Sequence, residues 1–251
     1  MDPIAPLPVD MGRLFDCLAP RYERINHLLS LGFDLYWRWR LAKCVCRQRP
    51  RRLLDLATGS GEVIRSLLRA RAVTGEIVGI DLSKEMLQEA HRKGVSNVYL
   101  GNAEELPFAD QSFEAVTVAF GLRNFYRRDR VLQEVKRVLV PGGRFYILEF
   151  SLPYPCLRSV YFAYIETLGP WLAKKHGLPP EPYHYLARSI RGFLSARQLA
   201  RLLVEHGFEA VGFRRFTGGI ACLHWATKPT AVFGSEHRAV WKDAGPARCG
   251  G

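Results

Sequence analysis

Short apolar runs alternate with amphipathic stretches through the middle of the chain. Leu53, Leu54 and Leu56 make a compact run within 52–57 that ends at Thr58-Gly59-Ser60-Gly61. The spacing then predicts a helix over 62–72, a buried strand over 76–81, and a helix over 84–93 with Ser83 as its N-cap. Strands over 97–101 and 113–120, a helix over 129–139 and a strand over 144–150 complete the pattern. Apolar runs without polar alternation suit strands covered on both faces, and intervening helices suit parallel crossovers. The predicted fold is therefore α/β, a doubly wound Rossmann-like sheet.

The flanks depart from this rhythm. Residues 11–51 read as N-terminal helices, with Leu14, Leu18, Tyr22, Ile25, Leu28 and Leu29 at three-to-four spacing, broken by Pro20. Residues 151–195 are rich in proline and aromatic side chains and read as an insertion covering the site. Residues 196–228 read as a closing helix followed by two antiparallel strands, over 210–216 and 220–228, around Gly218-Gly219. Residues 1–10 and 229–251 lack periodicity and read as a disordered N-terminus and a flexible tail around one domain, 11–228.

Composition narrows the class. Of 251 residues, 48% are hydrophobic and 24% charged, which excludes a mostly disordered chain, a collagen-like repeat and a coiled coil. No apolar stretch approaches the roughly 20 residues of a spanning helix, and Met1-Asp2-Pro3 opens an acidic, proline-rich segment unlike a secretory signal. The six cysteines contain no CxxC pair, so neither a metal site nor a disulfide framework is expected, and a cytoplasmic location fits. The net charge is +12, yet residues 53–150 hold 13 basic and 13 acidic side chains, so the whole surplus lies in the flanks. A basic surplus of that kind suits an anionic surface or an acidic ligand.

The chemistry begins at the glycine turn. Thr58-Gly59-Ser60-Gly61 closes a strand and opens a helix, where glycine permits a tight turn and close approach of a ligand. Asp81 follows 20 residues beyond Gly61, at the end of the next strand, where a carboxylate accepts ribose hydroxyls. A dinucleotide fingerprint requires a third glycine at position 64, which is Ile64. An adenosine cofactor without a pyrophosphate, S-adenosyl-L-methionine, fits better. Asn102 and Ala103 follow the third strand over the same crevice. The ordered set, with Leu139-Val140-Pro141-Gly142-Gly143 before the fifth strand, resembles class I S-adenosylmethionine-dependent methyltransferases.

A narrower resemblance rests on the flanking residues. Phe15-Asp16, Ala19, Tyr22, Asn26, Ser30-Leu31-Gly32 and Trp37 are similar to one signature of the ubiquinone/menaquinone biosynthesis C-methyltransferase family, and Phe120-Gly121-Leu122-Arg123-Asn124 to another. Leu148-Glu149-Phe150-Ser151, Tyr183, Tyr185-Leu186 and Thr217-Gly218 through Leu223-His224 extend it over about 14–228. The departures are Glu62 for the usual Asp, Ala119 for a common Ser and Val140 for the usual Lys.

This resemblance implies methyl transfer to a ring carbon of a prenylated quinol, demethylmenaquinol or the methoxy-benzoquinol of the ubiquinone pathway. It implies cofactor contacts at Ser60, Asp81, Asn102 and Ala103, to which the local reading adds Thr58, Gly59, Gly61, Leu82 and Ala119. Arg123 is the expected electrostatic partner of the quinolate, and Asn124 the residue orienting its hydroxyl. His224 is the rival base, because its ordinary pKa lies near neutrality. Tyr22, Asn26, Tyr183 and Tyr185 are expected around the substrate. The basic flanks suit peripheral attachment to the inner, anionic face of a membrane, and an oligomer is left open. Two other readings stand beside this one: methylation of a soluble phenolic natural product, and RNA binding. The second lacks any recognition motif, so no nucleic acid is expected.

Overall fold

The computed structural model describes residues 27, 29–175, 181–230 and 242–243. Helix α1 (Phe33–Cys46) leads into β1 (Arg52–Leu56), α2 (Glu62–Arg69), β2 (Glu76–Asp81), α3 (Lys84–Arg92), β3 (Val98–Leu100) and β4 (Phe113–Ala119). A 3-10 turn at Leu122–Asn124 precedes α4 (Arg128–Val138) and β5 (Leu139–Phe150). Then come α5 (Pro155–Lys175), α6 (Glu181–Gly192), α7 (Ala196–Glu205), β6 (Glu209–Phe216) and β7 (Ala221–Thr227), with a two-residue strand, β8, at Lys242–Asp243.

The sheet order is β3-β2-β1-β4-β5-β7-β6-β8. β1 pairs in parallel with β2 and β4, in register Leu54↔Val78 and Leu54↔Val116, whereas β7 runs antiparallel to both β5 and β6. Strand alternation explains the unbroken apolar runs. Leu53, Ile77, Ala115 and Leu223 face the core beneath α1, α2 and α3. Leu54, Leu56, Val78, Val116 and Cys222 face the opposite core, beneath α4 and α7. Every central position is therefore buried on one face or the other.

Helix boundaries follow local chemistry. The Ser83 hydroxyl accepts the Met86 N–H at 3.1 Å, capping α3 as its sequence requires. Ser195 and Gln198 form a reciprocal capping box at the start of α7. One expectation changes. Pro141-Gly142-Gly143 was expected to be a turn before a strand beginning at 144. Instead β5 runs through it, pairing Phe113↔Leu139 and then Ala115↔Arg144. The extra residues are absorbed as a bulge, with Gly142 at φ 77° donating its N–H to the Lys228 carbonyl. The aromatic insertion, whose secondary structure the sequence left open, folds as the helical hairpin α5–α6, whose own small core is Phe162, Ile165, Ala187 and Ile190.

Helix α1 closes the sheet's C-terminal rim through Trp37. The indole is almost wholly buried, donates to the Thr217 hydroxyl at 2.9 Å, and meets the Phe120 and Phe150 rings at 6.1 Å. Trp37→Ala is expected to cost about 3–5 kcal/mol of stability, measured by urea unfolding, and to loosen this rim first.

Candidate active site

The cavity lies at the C-terminal ends of β1, β2 and β4, where the sheet order reverses direction between β1 and β4; open α/β sheets place their ligand crevices at such a point. Its volume is about 500 Å³, within the roughly 300–1,000 Å³ of small-molecule sites. The turn after β1 forms its floor. Ala57, Gly59 and Gly61 all have positive φ, and a Cβ built on Gly59 would meet nothing within 4 Å. Open space thus stands directly above the turn. Gly61 faces the other way, where a Cβ would strike Val95 at 2.9 Å, so its role is to let α2 approach the neighbouring loop.

Asp81 organises the adjacent wall. Its carboxylate accepts the Gly59 N–H at 2.8 Å and the Ser83 N–H at 2.9 Å, which fixes its orientation at the cavity. Thr58, Ser60, Leu82, Ala103 and Ala119 also line the space. Asn102 does not: its side-chain oxygen accepts the Glu104 N–H at 2.9 Å and turns the loop. Beneath the turn, Asp55 is completely buried and accepts hydroxyl hydrogens from Thr58 at 2.8 Å and Thr117 at 2.6 Å. Burial pushes its pKa up to about 7, against the pull of those two hydrogen bonds.

The predicted catalytic trio separates. Asn124 lines the cavity and accepts the Tyr185 hydroxyl at 3.1 Å. Arg123 lies behind the wall, buried, with its guanidinium 2.7 Å from Glu149, donating to the Phe120 carbonyl and resting 5.2 Å from the Phe150 ring. Glu149 also accepts the Arg123 backbone N–H. Arg123 is thus engaged in a buried ion pair beneath the turn after β4. His224 is displaced altogether. It sits on the α7 face of β7, its Nε2 2.9 Å from the Ala196 carbonyl and its ring against Phe213, and it does not line the cavity. Burial lowers its pKa to about 4. Tyr22 and Asn26 lie outside the described residues, as does the side chain of Tyr183.

Two of the lining residues, Asp34 and Arg38, were not singled out from the sequence. Asp34 and Arg38 project from α1, and Phe120, Phe150, Ile220 and Leu186 complete an apolar upper chamber with Tyr161 and Tyr164 of α5. The spacing of Asp34 and Arg38, one helical turn apart, was the available signal. Asp34 receives Arg38 at 2.5 Å, Ser30 at 2.8 Å and His27 at 2.8 Å. Burial alone would raise its pKa, but Arg38 and these hydrogen bonds hold it below the ordinary value. Burial raises the Tyr161 phenol above its ordinary range, so it stays a neutral hydroxyl. Among the described residues, no group of three or more His, Cys, Asp or Glu side chains could hold a metal.

A family model described as the ubiE/COQ5 methyltransferase family matches residues 9–228. The chain belongs to that family. Demethylmenaquinone methyltransferase of Corynebacterium kroppenstedtii is 39% identical over 88% of this chain and 96% of its own. The ubiquinone/menaquinone biosynthesis C-methyltransferase of Rubrivivax gelatinosus is 38% identical over 88% and 87%. Among solved structures, a Thermotoga maritima S-adenosylmethionine-dependent methyltransferase, described as a possible histamine N-methyltransferase, superposes with a TM-score of 0.61 at 21% identity. It covers 87% of this chain and all of its own. The [4+2]-cyclase SpnF reaches 0.62 at 18% identity over 91% and 98%, so the shared architecture alone does not decide the reaction.

The two buried titrating groups act in opposite senses. Native His224 stays neutral down to about pH 4 while the unfolded side chain protonates near 6.5, so its contribution to stability falls by about 3 kcal/mol as pH drops through that window. Native Asp55 keeps its proton up to about 7 while the unfolded carboxyl loses it near 3.8, so its contribution falls by about 4 kcal/mol as pH rises through that window. Urea unfolding across this range should show His224→Gln losing stability as pH rises and Asp55→Asn gaining it.

Proposed function

We propose that this methyltransferase uses S-adenosyl-L-methionine to methylate a ring carbon of a prenylated quinol, demethylmenaquinol in the first place. The observation that carries the reading is one cavity with two chemically distinct halves. The lower half offers the open glycine turn, Asp81, Ser60 and Ala103 to an adenosine ligand. The upper half is walled by Phe120, Phe150, Tyr161, Tyr164 and Ile220, as an aromatic acceptor requires. The family membership and the relatives named for demethylmenaquinone and ubiquinone/menaquinone methylation point the same way and do not favour a soluble phenol.

Asp81 would accept the ribose hydroxyls, and Gly59 would admit the cofactor close to the backbone. The bound cofactor supplies an activated methyl group. The chain's own work is alignment, and holding two reactants in line can supply several kcal/mol. Asn124 is placed to orient the ring hydroxyl whose ionisation makes the neighbouring carbon nucleophilic. Its oxygen is engaged by Tyr185, which leaves the amide N–H groups to donate. Arg123 and Glu149 hold the turn that carries Asn124, so Arg123 acts as a positioning residue. His224 has no part in proton transfer on this reading.

The prenyl tail needs an apolar exit. Leu31, Leu157 and Val160 line the cavity and are also solvent-exposed, so the mouth itself is greasy. Exposed Arg158, Lys174 and Lys175 lie on α5 with Leu157 and Val160, and exposed Lys43 lies on α1, which follows Leu31. Attachment to an anionic membrane face would gain about 1 kcal/mol per nearby basic residue. Among the described residues, no helix is long and apolar enough to cross a membrane.

Single-turnover methyl transfer to a short-chain demethylmenaquinol tests the reading, with product identified by mass spectrometry. Asn124→Ala should slow transfer about 10- to 100-fold while cofactor affinity changes little. Absence of any methylated quinol with the unaltered protein overturns the assignment. Arg123→Met should instead unfold more easily, by about 3–5 kcal/mol, because Glu149 is left as an unpaired buried charge.

A further inference from the structure

Among the described residues that line the cavity, Arg38 is the sole lysine, arginine or histidine. Nothing in the proposed chemistry uses it. It extends from α1 to a place marked by four neighbours. Asp34, one turn earlier, holds one guanidinium N–H at 2.5 Å. The Phe120 ring, at the end of β4, lies 5.9 Å from the guanidinium carbon. Asp55 and Glu62, which bracket the glycine turn, both feel its charge. Arg38 therefore stands over the β1–β4 side of the turn, whereas Asp81 stands on the β2 side.

We propose that Arg38 binds the α-carboxylate of the methyl donor's amino-acid end. This rests on the cofactor reading above. The direction follows from the strand order. With the ribose on Asp81 at the end of β2, and the adenine toward Ala103 beyond β3, an extended adenosyl ligand has its remaining arm over β1 and β4. That arm ends in a carboxylate, and Arg38 is the cation placed there. A planar guanidinium suits a carboxylate because it can offer two parallel N–H groups. The Asp34 contact has a second consequence. It keeps the net charge around Arg38 close to neutral, so the guanidinium does not repel the nearby sulfonium. Ser30 and His27 on Asp34 hold that carboxylate in place.

The test is calorimetric titration of the full chain with S-adenosylmethionine and, separately, with its decarboxylated analogue. The two ligands share the adenosine and the sulfonium and differ only at the carboxylate. The unaltered protein should prefer the carboxylated ligand about 10- to 100-fold. Arg38→Met should lose that preference by weakening S-adenosylmethionine alone, with the decarboxylated ligand nearly unaffected; Arg38→Lys should restore part of it. Thermal melts without ligand check folding, and Asp34→Asn combined with Arg38→Met supplies a variant with no stranded carboxylate. If the unaltered protein binds both ligands equally, the assignment is overturned whatever the variants do. If it binds S-adenosylmethionine tightly and Arg38→Met keeps the full preference, the assignment falls while the cofactor reading stands. If it binds neither ligand, the cofactor reading itself is overturned.

Discussion

The cavity depends on one buried carboxylate at the centre of the sheet. Asp55 joins the turn after β1 to β4 by accepting both the Thr58 and the Thr117 hydroxyls. Those strands meet where the sheet order reverses, so their following turns diverge and leave a crevice. The β1–β4 ladder sets the spacing of the strands, and this tie adds a side-chain link that fixes the turn after β1 against β4. A buried ionised carboxylate is costly, and Asp55 responds with a pKa near neutrality and two hydroxyl donors. Next to it, Ala57 and Phe120 hold positive φ at the ends of β1 and β4, and a Cβ on Gly121 would lie 2.7 Å from that of Ala57. Backbone conformations that most side chains avoid are thus concentrated at the rim, where a ligand must come close.

Two layers are built on that tie. Asp81 gathers the Gly59 and Ser83 N–H groups, so one carboxylate sets both the floor turn and the start of α3. Above it, α1 and the α5–α6 hairpin lean over the sheet. Trp37 fastens the first through Thr217, and the Phe162 cluster gives the second its own small core. The chamber between them is mostly apolar, with Asp34 and Arg38 entering from α1, Asn124 from the 3-10 turn and the Tyr161 and Tyr164 hydroxyls from α5. Such sparse polar placement orients a largely apolar ligand with few contacts.

The ion pair of Arg123 and Glu149 shows what residue type alone leaves open. An arginine in the turn after β4 looked placed for a developing negative charge. In the fold its guanidinium is taken by a carboxylate of the neighbouring strand, and the stretch Phe120–Asn124 is held from beneath. The residue beside it, Asn124, reaches the cavity instead. His224 is a second instance, because strand alternation sends it to the α7 side.

Periodicity by itself determined the α/β class, the strand succession and the floor of the site. Unbroken apolar runs between amphipathic helices have few ways to bury both faces, and the glycine turn followed by Asp81 is local in sequence. The family resemblance was equally legible in short ordered motifs. Tertiary structure decided everything that required residues distant along the chain to meet. It turned the proline-rich 151–195 stretch into two helices, because their apolar faces find partners in each other and in the sheet rim. It drew β5 through Pro141-Gly142-Gly143, because a bulge costs less there than unpaired strand edges beside β7. It also chose which charges face the ligand, sending Arg123 inward and Arg38 to the cavity. Sequence spacing fixes which face of an element a side chain occupies. Only the packing of elements against one another fixes what that face meets.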